Sequence, residues 1–482
     1  MISTTKLNIT VFVSGFVLMV FELVGTRVLA PFLGSSSVVW TSIIGVILGF
    51  MSLGYWYGGK VADKYHSAKT LALVITIAAI AILSMNLGKN TVLKTITYLE
   101  LSLITKSLIT ATILFSIPSF LMAFVSPFAI RLSLNGVENS GATSGNIYAL
   151  STIGSIAGTF SSGFFLIAFL GTNQILWILG ITLISLAAFI SIPTVKKNSG
   201  WLLILLVGNI YYSVKAKDYI DIDTNYSRIF ITDTEYQNKN ARFLAIDGYV
   251  NSGMEIENPT KLIFEYTQFY DNFELFNSKF TNVVMFGGAG YSYPKHFQEN
   301  YPNTHLDIVE IDPDLTQIAT EYFQFTPTKN TTIIHEDARY FLGTTKAKYD
   351  AVLYDVLTSH RTVPFHLTTQ ETFQEISDIM TNNGVLIMNL ISDKNGKGAL
   401  FLSSELQTLQ SVFPSVQLFS AQKEVTIGLN NYMMVALKNP IKAPIAPKLK
   451  QLLNTEIKLK PIDGTFILTD NYAPSNYLLN KF

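Results

Sequence analysis

The fold of the second half of the chain is decided by the stretch Asn282-Val283-Val284-Met285-Phe286-Gly287-Gly288-Ala289-Gly290. Residues 283–286 form an apolar run that is typical of a buried strand, and a helix-like stretch follows the glycines. A glycine turn between a strand and a helix lets the backbone approach a ligand closely and sets a helix N-terminus against it. The stretch therefore predicts the first strand-turn-helix unit of a ligand-binding sheet.

The alternation of strand and helix continues downstream of this unit. Strands are predicted at residues 282–286, 306–311, 331–334, 351–354 and 385–389, with helices between them. This order is typical of a doubly wound, mostly parallel sheet, so residues 281–482 are predicted to form an α/β Rossmann-like domain.

A smaller unit is predicted at residues 218–280. Runs of β-forming residues at 227–234 and 242–246 flank the turn-like Gln237-Asn238-Lys239-Asn240, which indicates a small antiparallel hairpin sheet. A helix predicted at residues 262–273 would link this sheet to the larger domain.

Acidic side chains follow three successive strands of the predicted parallel sheet. Glu310 comes 22 residues after Gly288, the spacing at which such folds place a carboxylate on a ribose diol. Asp337 follows the third strand and Asp355 the fourth. An acid after a strand is often only the N-cap of the next helix. Because the carboxyl ends of parallel strands meet at one edge, the joint placement of these acids predicts a nucleoside site.

The overall composition conceals two unlike halves. Of the 482 residues only 14% are charged, where about 25% is usual for soluble domains, and there is no Cys. Residues 1–217 hold 13 basic and 4 acidic residues, a net charge of +9, whereas residues 218–482 hold 21 and 30, a net charge of −9. The split predicts a membrane part joined to a water-soluble part. The acidity of the second part argues against nucleic acid as a partner, because it would repel phosphate.

The first part contains six apolar runs long enough to cross about 30 Å of hydrocarbon. They are residues 8–29, 39–57, 70–87, 108–130, 145–170 and 175–192. A seventh run, 201–214, has 14 residues and would be a short span or an interfacial helix. Residues 1–217 are therefore predicted to be an α-helical transmembrane bundle of six helices, or of seven if the short run also crosses.

Loop charge predicts the orientation of this bundle. With six spans, the side that holds both ends carries nine Lys and Arg against three opposite, and with seven spans the count is seven against five. The positive-inside rule favours six spans and a multi-pass protein of the cell membrane whose soluble domain is cytoplasmic. The first run is too long for a cleavable signal peptide and carries Glu22 and Arg27, which are functional candidates because of their depth.

The motifs of the soluble part resemble, in order and spacing, the polyamine aminopropyltransferases, the spermidine synthase family. The matching pieces are Ala245-Ile246-Asp247-Gly248, Phe264-Glu265-Tyr266, the Gly-Gly-Ala-Gly turn, Val309-Glu310-Ile311-Asp312-Pro313, Glu336-Asp337-Ala338-Arg339-Tyr340-Phe341 and Tyr349-Asp350-Ala351-Val352-Leu353-Tyr354-Asp355. Further pieces resemble the membrane-fused branch of that family, at residues 22–31, 145–149, 364–369 and 468–474.

The resemblance implies that the Rossmann-like domain is of the S-adenosylmethionine methyltransferase type. It also implies an enzyme that transfers the aminopropyl group of decarboxylated S-adenosylmethionine to an amine, without a metal. Asp355 would orient and deprotonate the amine, with Tyr266 as a second catalytic residue. Glu310 would bind the ribose hydroxyls and Asp337 the adenine amino group. The full donor-binding set implied is Gly287, Gly288, Gly290, Glu310, Asp337, Ala338 and Asn251. An acid is needed because an alkylamine has a pKa near about 10 and must lose a proton before it attacks.

The sequence departs from the family in the amine half of the site. Gly290 stands where the family has an Asp that grips the aminopropyl ammonium, and Thr358 replaces a second acid. Ser227 and Asn251 replace two glutamines. Two interpretations stay open: aminopropyl transfer to a less charged or membrane-delivered acceptor, or methyl or other alkyl transfer from intact S-adenosylmethionine to a substrate that is not a polyamine.

Other features of the sequence have weaker implications. His360 and His366 would act as a base or a substrate contact, or would only pack or cap their loop. Small residues in the fifth apolar run predict close helix packing. A six-span unit also resembles half of a facilitator-type transporter, so transport of a polyamine or metabolite beside a degenerate enzyme domain is a third hypothesis. The expected partners are a small nucleophile, the lipid bilayer and, because soluble relatives are dimers or tetramers, a second copy of the chain.

Overall fold

The structure is a computed structural model and describes residues 2–34, 36–134, 136, 139–197, 199–214, 219–356, 363–396, 398–422, 428–440, 445–460 and 462–480. Thr358 and His360 lie outside the described residues. The chain divides into two compact units, Met1–Asp218 with Ile222–Arg228 and Tyr219–Asp221 with Ile229–Phe482.

The first unit is built from apolar helices, most of them long. They are α1 (Thr4–Leu33), α2 (Ser37–Lys64), α3 (Ala68–Thr97), α4 (Leu103–Met122), α5 (Val125–Ser133), α6 (Ser140–Ser161), α7 (Ile167–Phe169), α8 (Thr172–Lys197) and α9 (Ser199–Val214). A π-helical turn, Ser162–Leu166, joins α6 to α7, and α8 kinks at Ser191.

Six of these helical segments are long and apolar enough to cross a membrane. Judged by length and composition over the described residues, they are Thr4–Leu33, Ser37–Lys64, Ala68–Thr97, Leu103–Ser133, Ser140–Leu166 and Thr172–Ile192. All six predicted runs are therefore confirmed as long apolar helices. The seventh run forms α9, whose 16 residues rise only about 24 Å at 1.5 Å per residue. The orientation of the bundle stays a prediction.

Helices α1 and α6 pack backbone against backbone. A Cβ added at Gly154 would lie 2.1 Å from the Phe12 carbonyl oxygen, and one at Gly158 would lie 2.5 Å from that of Phe16. On the other helix, a Cβ at Gly15 would lie 2.3 Å from the Ser151 carbonyl oxygen. The small residues of the fifth run thus serve close helix packing, as predicted.

A four-stranded sheet of order β1-β2-β3-β4 comes next in the chain, and its pairs β2-β3 and β3-β4 are antiparallel. Its strands are β1 (Ile220–Asp223), β2 (Arg228–Tyr236), β3 (Lys239–Ile246) and β4 (Tyr249–Glu255). The predicted hairpin is confirmed, but its turn is tighter than predicted, because only Gln237 and Asn238 lie outside the strands, with φ of 53° and 62°. Two residues with positive φ match the twist of the paired strands, which leaves Lys239 and Asn240 free to pair.

The helix predicted at residues 262–273 is wrong in its first turn and is broken thereafter. The chain forms α10 (Glu265–Phe269), a 3₁₀ turn (Tyr270–Asn272) and α11 (Phe273–Phe276). Phe264 is extended, with φ −97° and ψ 135°, and its ring stacks on that of Tyr266. Leu262 is buried in the core. The free energy gained by burying Leu262 and by stacking Phe264 on Tyr266 outweighs the tendency of these residues to form a first helical turn.

The large sheet has seven strands in the order β10-β11-β9-β8-β5-β6-β7. Its strands are β5 (Asn282–Phe286), β6 (His305–Val309), β7 (Thr331–Ile334), β8 (Tyr349–Tyr354), β9 (Met380–Ser392), β10 (Ser415–Ser420) and β11 (Asn430–Leu437). Strands β5 to β9 are parallel, whereas β10 and β11 pair antiparallel beside β9. The doubly wound fold is confirmed.

Helices cover both faces of this sheet, which explains why its strands are continuous apolar runs. They are α12 (Ser292–Asn300), α13 (Pro313–Tyr322), α14 (Ala338–Thr344), α15 (Gln370–Ile379), α16 (Ala399–Val412), α17 (Pro447–Leu453) and α18 (Ser475–Asn480). Along β5, Val284 and Phe286 join one buried cluster while Val283 and Met285 join the other.

Glu405 on α16 is a buried acid without a partner in the part of the chain that the structure describes. Its side chain is fully buried, and neither carboxyl oxygen has a hydrogen-bond partner among the described residues. Burial raises the pKa of Glu405 well above its ordinary value. We expect Glu405→Met, which needs no hydrogen bond, to slow amide hydrogen exchange in α16 about tenfold, since an unsatisfied buried polar group costs roughly 1–3 kcal/mol.

The pH dependence of this gain has a fixed sign. An acid whose pKa is raised by folding stabilises the folded state below its unfolded-state pKa and loses that contribution as pH rises through the folded-state pKa. The gain from Glu405→Met should therefore grow from pH 5 to pH 8. Gln407→Met, an exposed change on the same helix, is the control. Faster exchange in Glu405→Met would show that the carboxyl has a stabilising role.

Candidate active site

The glycine turn after β5 joins the ends of three parallel strands. The Gly287 N–H donates to the Val309 carbonyl oxygen at 2.9 Å, and Gly287 has a φ of +89°. A Cβ at this position would lie 2.2 Å from the carbonyl oxygen of Asp355. Only glycine fits both conditions, because an L side chain rarely adopts this φ and here meets backbone. The turn therefore fixes the position of the Asp355 backbone.

Glu310 closes the turn from the neighbouring strand. Its Oε2 accepts hydrogen bonds from the N–H groups of Gly288 at 2.7 Å and Ala289 at 3.2 Å, and its Oε1 accepts from the Asp312 N–H at 3.0 Å. Burial raises the pKa of Glu310, and these backbone donors oppose the rise. Glu310, which is predicted to bind the ribose, thus lies against the backbone of the turn.

Asp337 has the capping role that the sequence left open, and its role as a nucleoside ligand stays a prediction. It is the N-cap of α14, since its Oδ1 accepts from the N–H groups of Arg339 at 2.8 Å and Tyr340 at 3.2 Å. Its other oxygen, Oδ2, lies 3.3 Å from His366 Nε2. The side chain of Asp337 is 37% exposed. Ala338, the next residue, is buried.

Arg339 ties the loop of His366 to the C-terminal motif. Its guanidinium donates to both carboxylate oxygens of Asp470, at 3.2 and 2.9 Å, and to Thr369 Oγ1 at 3.2 Å. Thr369 Oγ1 also donates to Asp470 at 2.6 Å. Segments that are far apart in the sequence are thus held beside Asp337, which gives the motif at 468–474 a structural role.

A cavity of about 470 Å³ lies beside the turn, with Asp355 in its wall. The residues that line it are Tyr236, Gln237, Val250, Asn251, Ile263, Phe264, Glu265, Tyr266, Ala289, Asp355, Asn389, Ile391, Gln422 and Asn431. Four predicted site features therefore meet here, namely Asp355, Tyr266, Asn251 and the glycine turn through Ala289. The volume suits a small organic substrate.

Asp355 is a half-buried carboxylate whose pKa is raised. Burial raises the pKa of Asp355 to about 6, although hydrogen bonds from the Asn389 amide, at 3.0 Å, and from the Tyr270 hydroxyl act in the opposite direction. Burial and the nearby Asp355 carboxylate raise the pKa of Tyr266 well above its ordinary value, and its hydroxyl donates to the Asn251 carbonyl oxygen at 3.0 Å. At neutral pH the site thus pairs a deprotonated base with a protonated tyrosine.

Asn389→Leu should move the acid limb of the pH profile of kcat/KM upward by about one pH unit. The wild-type rate should rise with pH through about 6, because Asp355 accepts a proton only in its charged form. Loss of the amide donor destabilises that form, and a hydrogen bond to a charged group contributes about 1.5–3 kcal/mol. An unchanged limb in steady-state rates between pH 5 and 9 would show that another group controls it.

Gly290 lies at the end of the turn, against the small sheet. Its N–H donates to Ser252 Oγ at 2.9 Å, and a Cβ at Gly290 would lie 2.7 Å from the Cβ of Ser252. Ser252 thus occupies space that an acidic side chain at position 290 would need. Among the described residues, no group of three or more His, Asp or Glu is arranged to hold a metal ion.

The residues that sequence reasoning missed include four polar ones that contact Asp355 or line the cavity: Tyr270, Asn389, Gln422 and Asn431. Asn389 carried a signal, since it is the polar residue in the apolar run of β9. The other three gave none, because they reach Asp355 or the cavity only through the pairing of β9, β11 and β10 and through the broken helix after residue 264.

Comparison with known proteins gives three findings. The Spermine/spermidine synthase domain family matches residues 280–439. The polyamine aminopropyltransferase of Vibrio vulnificus (strain CMCP6) is 32% identical over 220 residues, which cover 42% of this chain and 72% of that protein. The eEF1A lysine and N-terminal methyltransferase of Homo sapiens is 26% identical over 205 residues, 39% of this chain and 28% of that protein.

A solved structure is also similar to this chain. A probable spermidine synthase from Corynebacterium glutamicum ATCC 13032 aligns with 54% of this chain and 99% of its own, with 18% identity and a TM-score of 0.46. The matched part of the human methyltransferase is less than a third of that protein.

Proposed function

This chain belongs to the polyamine aminopropyltransferase family, and on that premise we propose that its second unit transfers the aminopropyl group of decarboxylated S-adenosylmethionine to an amine. The observation that carries the proposal is a half-buried Asp355, with a pKa of about 6, in the wall of a 470 Å³ cavity beside the glycine turn. Carboxyl groups whose pKa is raised toward neutral pH cluster at functional sites.

The donor would be held by the turn and by two acids. Glu310 suits the ribose hydroxyls because its carboxylate lies against the turn backbone. Asp337 suits the adenine amino group because the N–H groups of the helix that it caps donate to its other oxygen, Oδ1. No residue of the site needs to activate the leaving group, since a sulfonium is already a good one. The remaining contribution is positioning, which can supply several kcal/mol.

The transfer itself needs one base. The amine nitrogen attacks the carbon next to the sulfonium, the new N–C bond forms as the C–S bond breaks, and the electron pair of that bond leaves on sulfur as the neutral thioether methylthioadenosine. The proton of the nitrogen passes to Asp355 and then to solvent. Tyr266 stays protonated, and its hydroxyl, bound to the Asn251 carbonyl, would help to shape the acceptor path.

A second candidate is methyl or other alkyl transfer from intact S-adenosylmethionine. Two observations favour it: Gly290 offers no acid to the aminopropyl ammonium, and part of the chain is similar to a methyltransferase. Without an acid at position 290, the carboxylate of the intact donor meets no repulsion from that residue.

Calorimetry decides between the two candidates and tests the site. Detergent-purified full-length protein is titrated with S-adenosylmethionine, its decarboxylated form and methylthioadenosine. We expect the decarboxylated donor to bind at least tenfold more tightly than the intact one. The reverse order would favour methyl or alkyl transfer, and no binding of any of the three would contradict a nucleoside site.

The first unit would anchor this activity to the cell membrane with the catalytic unit in the cytoplasm. The proposal is supported by the six candidate spans and by the excess of Lys and Arg in the loops of one side. The acceptor would be a small nucleophile that reaches the site from water or from the bilayer. Assembly with a second copy of the chain is proposed only by analogy with soluble relatives.

A further inference from the structure

We propose that the acceptor is a monoamine whose tail is uncharged and carries hydrogen-bond donors, such as an amino alcohol or an amino amide. The inference rests on the proposed aminopropyl transfer and adds the chemical class of the acceptor. It is carried by three amide side chains in the wall of the cavity, those of Asn389, Gln422 and Asn431.

The three amides share one property. Among the residues that the structure describes, the side-chain oxygens Asn389 Oδ1, Gln422 Oε1 and Asn431 Oδ1 have no hydrogen-bond partner. The orientation of Asn389 is fixed, because its Nδ2 donates to Asp355 Oδ1 at 3.0 Å and its oxygen must point elsewhere. Buried polar groups in native proteins are normally paired, so an acceptor that carries hydrogen-bond donors would suit this part of the wall.

These amides form a row that leads away from the base. In the sheet the strand order from Asp355 is β8, β9, β11, β10, and the amides lie on β9, on β11 and just after β10. Ile391 on β9 pairs with Asn431, and the N–H of Ala421, next to Gln422, donates to the Asn431 carbonyl oxygen at 2.9 Å. Neighbouring strands are about 4.8 Å apart, so donors at about this interval along the acceptor would meet successive acceptors.

The charge of the wall argues against a second ammonium on the acceptor. Apart from Asp355, the described lining residues include one carboxylate, the exposed Glu265. A buried ammonium needs a carboxylate or an equivalent cage, whereas a hydroxyl or amide N–H is satisfied by one amide oxygen. Ile263, Phe264 and Val250 supply apolar contact for the methylene groups between donors. The wall thus matches a neutral polar chain.

The test uses three acceptors of equal length that differ only at the far end: 4-aminobutan-1-ol, butane-1,4-diamine and pentan-1-amine. Full-length protein in detergent is given decarboxylated S-adenosylmethionine, and release of methylthioadenosine is measured. We expect kcat/KM for the amino alcohol to exceed the other two by at least tenfold. A preference for the diamine, equal rates, or no transfer to any of the three by protein that binds the donor would overturn the inference.

A variant that introduces a negative charge among the three amides makes the test sharper. Asn431→Asp places a carboxylate in the wall and should shift the ratio of kcat/KM for diamine over amino alcohol upward by at least tenfold. Asn383→Asp, the same change at an exposed position on β9, is the matched control and should leave the ratio unchanged. An unchanged ratio in Asn431→Asp would remove the row from acceptor recognition.

The two proposals fail in distinguishable ways. If calorimetry shows no binding of the donor to the full-length protein, the aminopropyl transfer is contradicted, whichever acceptor is supplied. Donor binding with a diamine preference would leave the transfer standing and contradict only the acceptor class.

Discussion

Asp355→Asn is expected to lower kcat for aminopropyl transfer by about 10³-fold while the dissociation constant of the donor changes less than about twofold. General base catalysis contributes roughly 10²–10⁴-fold, and the buried amine has no other described carboxylate at hand except the exposed Glu265. An asparagine keeps the shape of the side chain but cannot accept a proton. Release of methylthioadenosine measures turnover, and calorimetry with decarboxylated S-adenosylmethionine measures the donor half of the site.

The pH profile separates a lost base from a disturbed fold. We expect an acid limb near pH 6 that reflects Asp355, so any residual activity of Asp355→Asn should lack this limb. Asp378→Asn, on the exposed end of α15, is the control and should retain both rate and limb. Full turnover in Asp355→Asn would mean that the carboxylate has no part in the chemistry.

The parallel core could be predicted from the sequence because its signals are local. Strands β5 and β7 have the predicted bounds, and the glycine turn lies where an apolar run meets Gly287. Parallel strands buried on both faces must be continuous apolar runs, which a sequence displays directly. The acids at their ends then follow from topology alone, since parallel strands end at one edge.

The three amides in the cavity wall could not be predicted to lie together, because no local signal in the sequence links them. Asn389 and Asn431 approach each other through an antiparallel pairing of strands that lie about forty residues apart. Gln422, just after β10, joins them through the pairing of β10 with β11. Nothing in the sequence shows that their oxygens lack partners. Asp337 could be predicted in part. Its capping role follows from the sequence at one helix start, whereas its contact with His366 is visible only in the fold.

Gly287→Ala should abolish measurable turnover and weaken donor binding at least 100-fold. The added Cβ would lie 2.2 Å from the Asp355 carbonyl oxygen, on a residue whose φ is +89°. Strain at such a φ costs about 1–3 kcal/mol, and overpacking against fixed backbone about as much again. Relief requires β5 and β8 to separate at their carboxyl ends, which would move the turn away from Glu310 and the base away from the acceptor at once.

A matched glycine and a local probe keep this prediction testable. Gly343→Ala, on α14, has open space around its Cβ and should retain donor binding. Amide hydrogen exchange should show the loss of protection concentrated at the ends of β5 and β8 and spare β10 and β11, because the strain enters at the turn. Normal donor affinity in Gly287→Ala would show that the turn and the Asp355 carbonyl separate at little cost, and the site would then have to be sought away from the glycine turn.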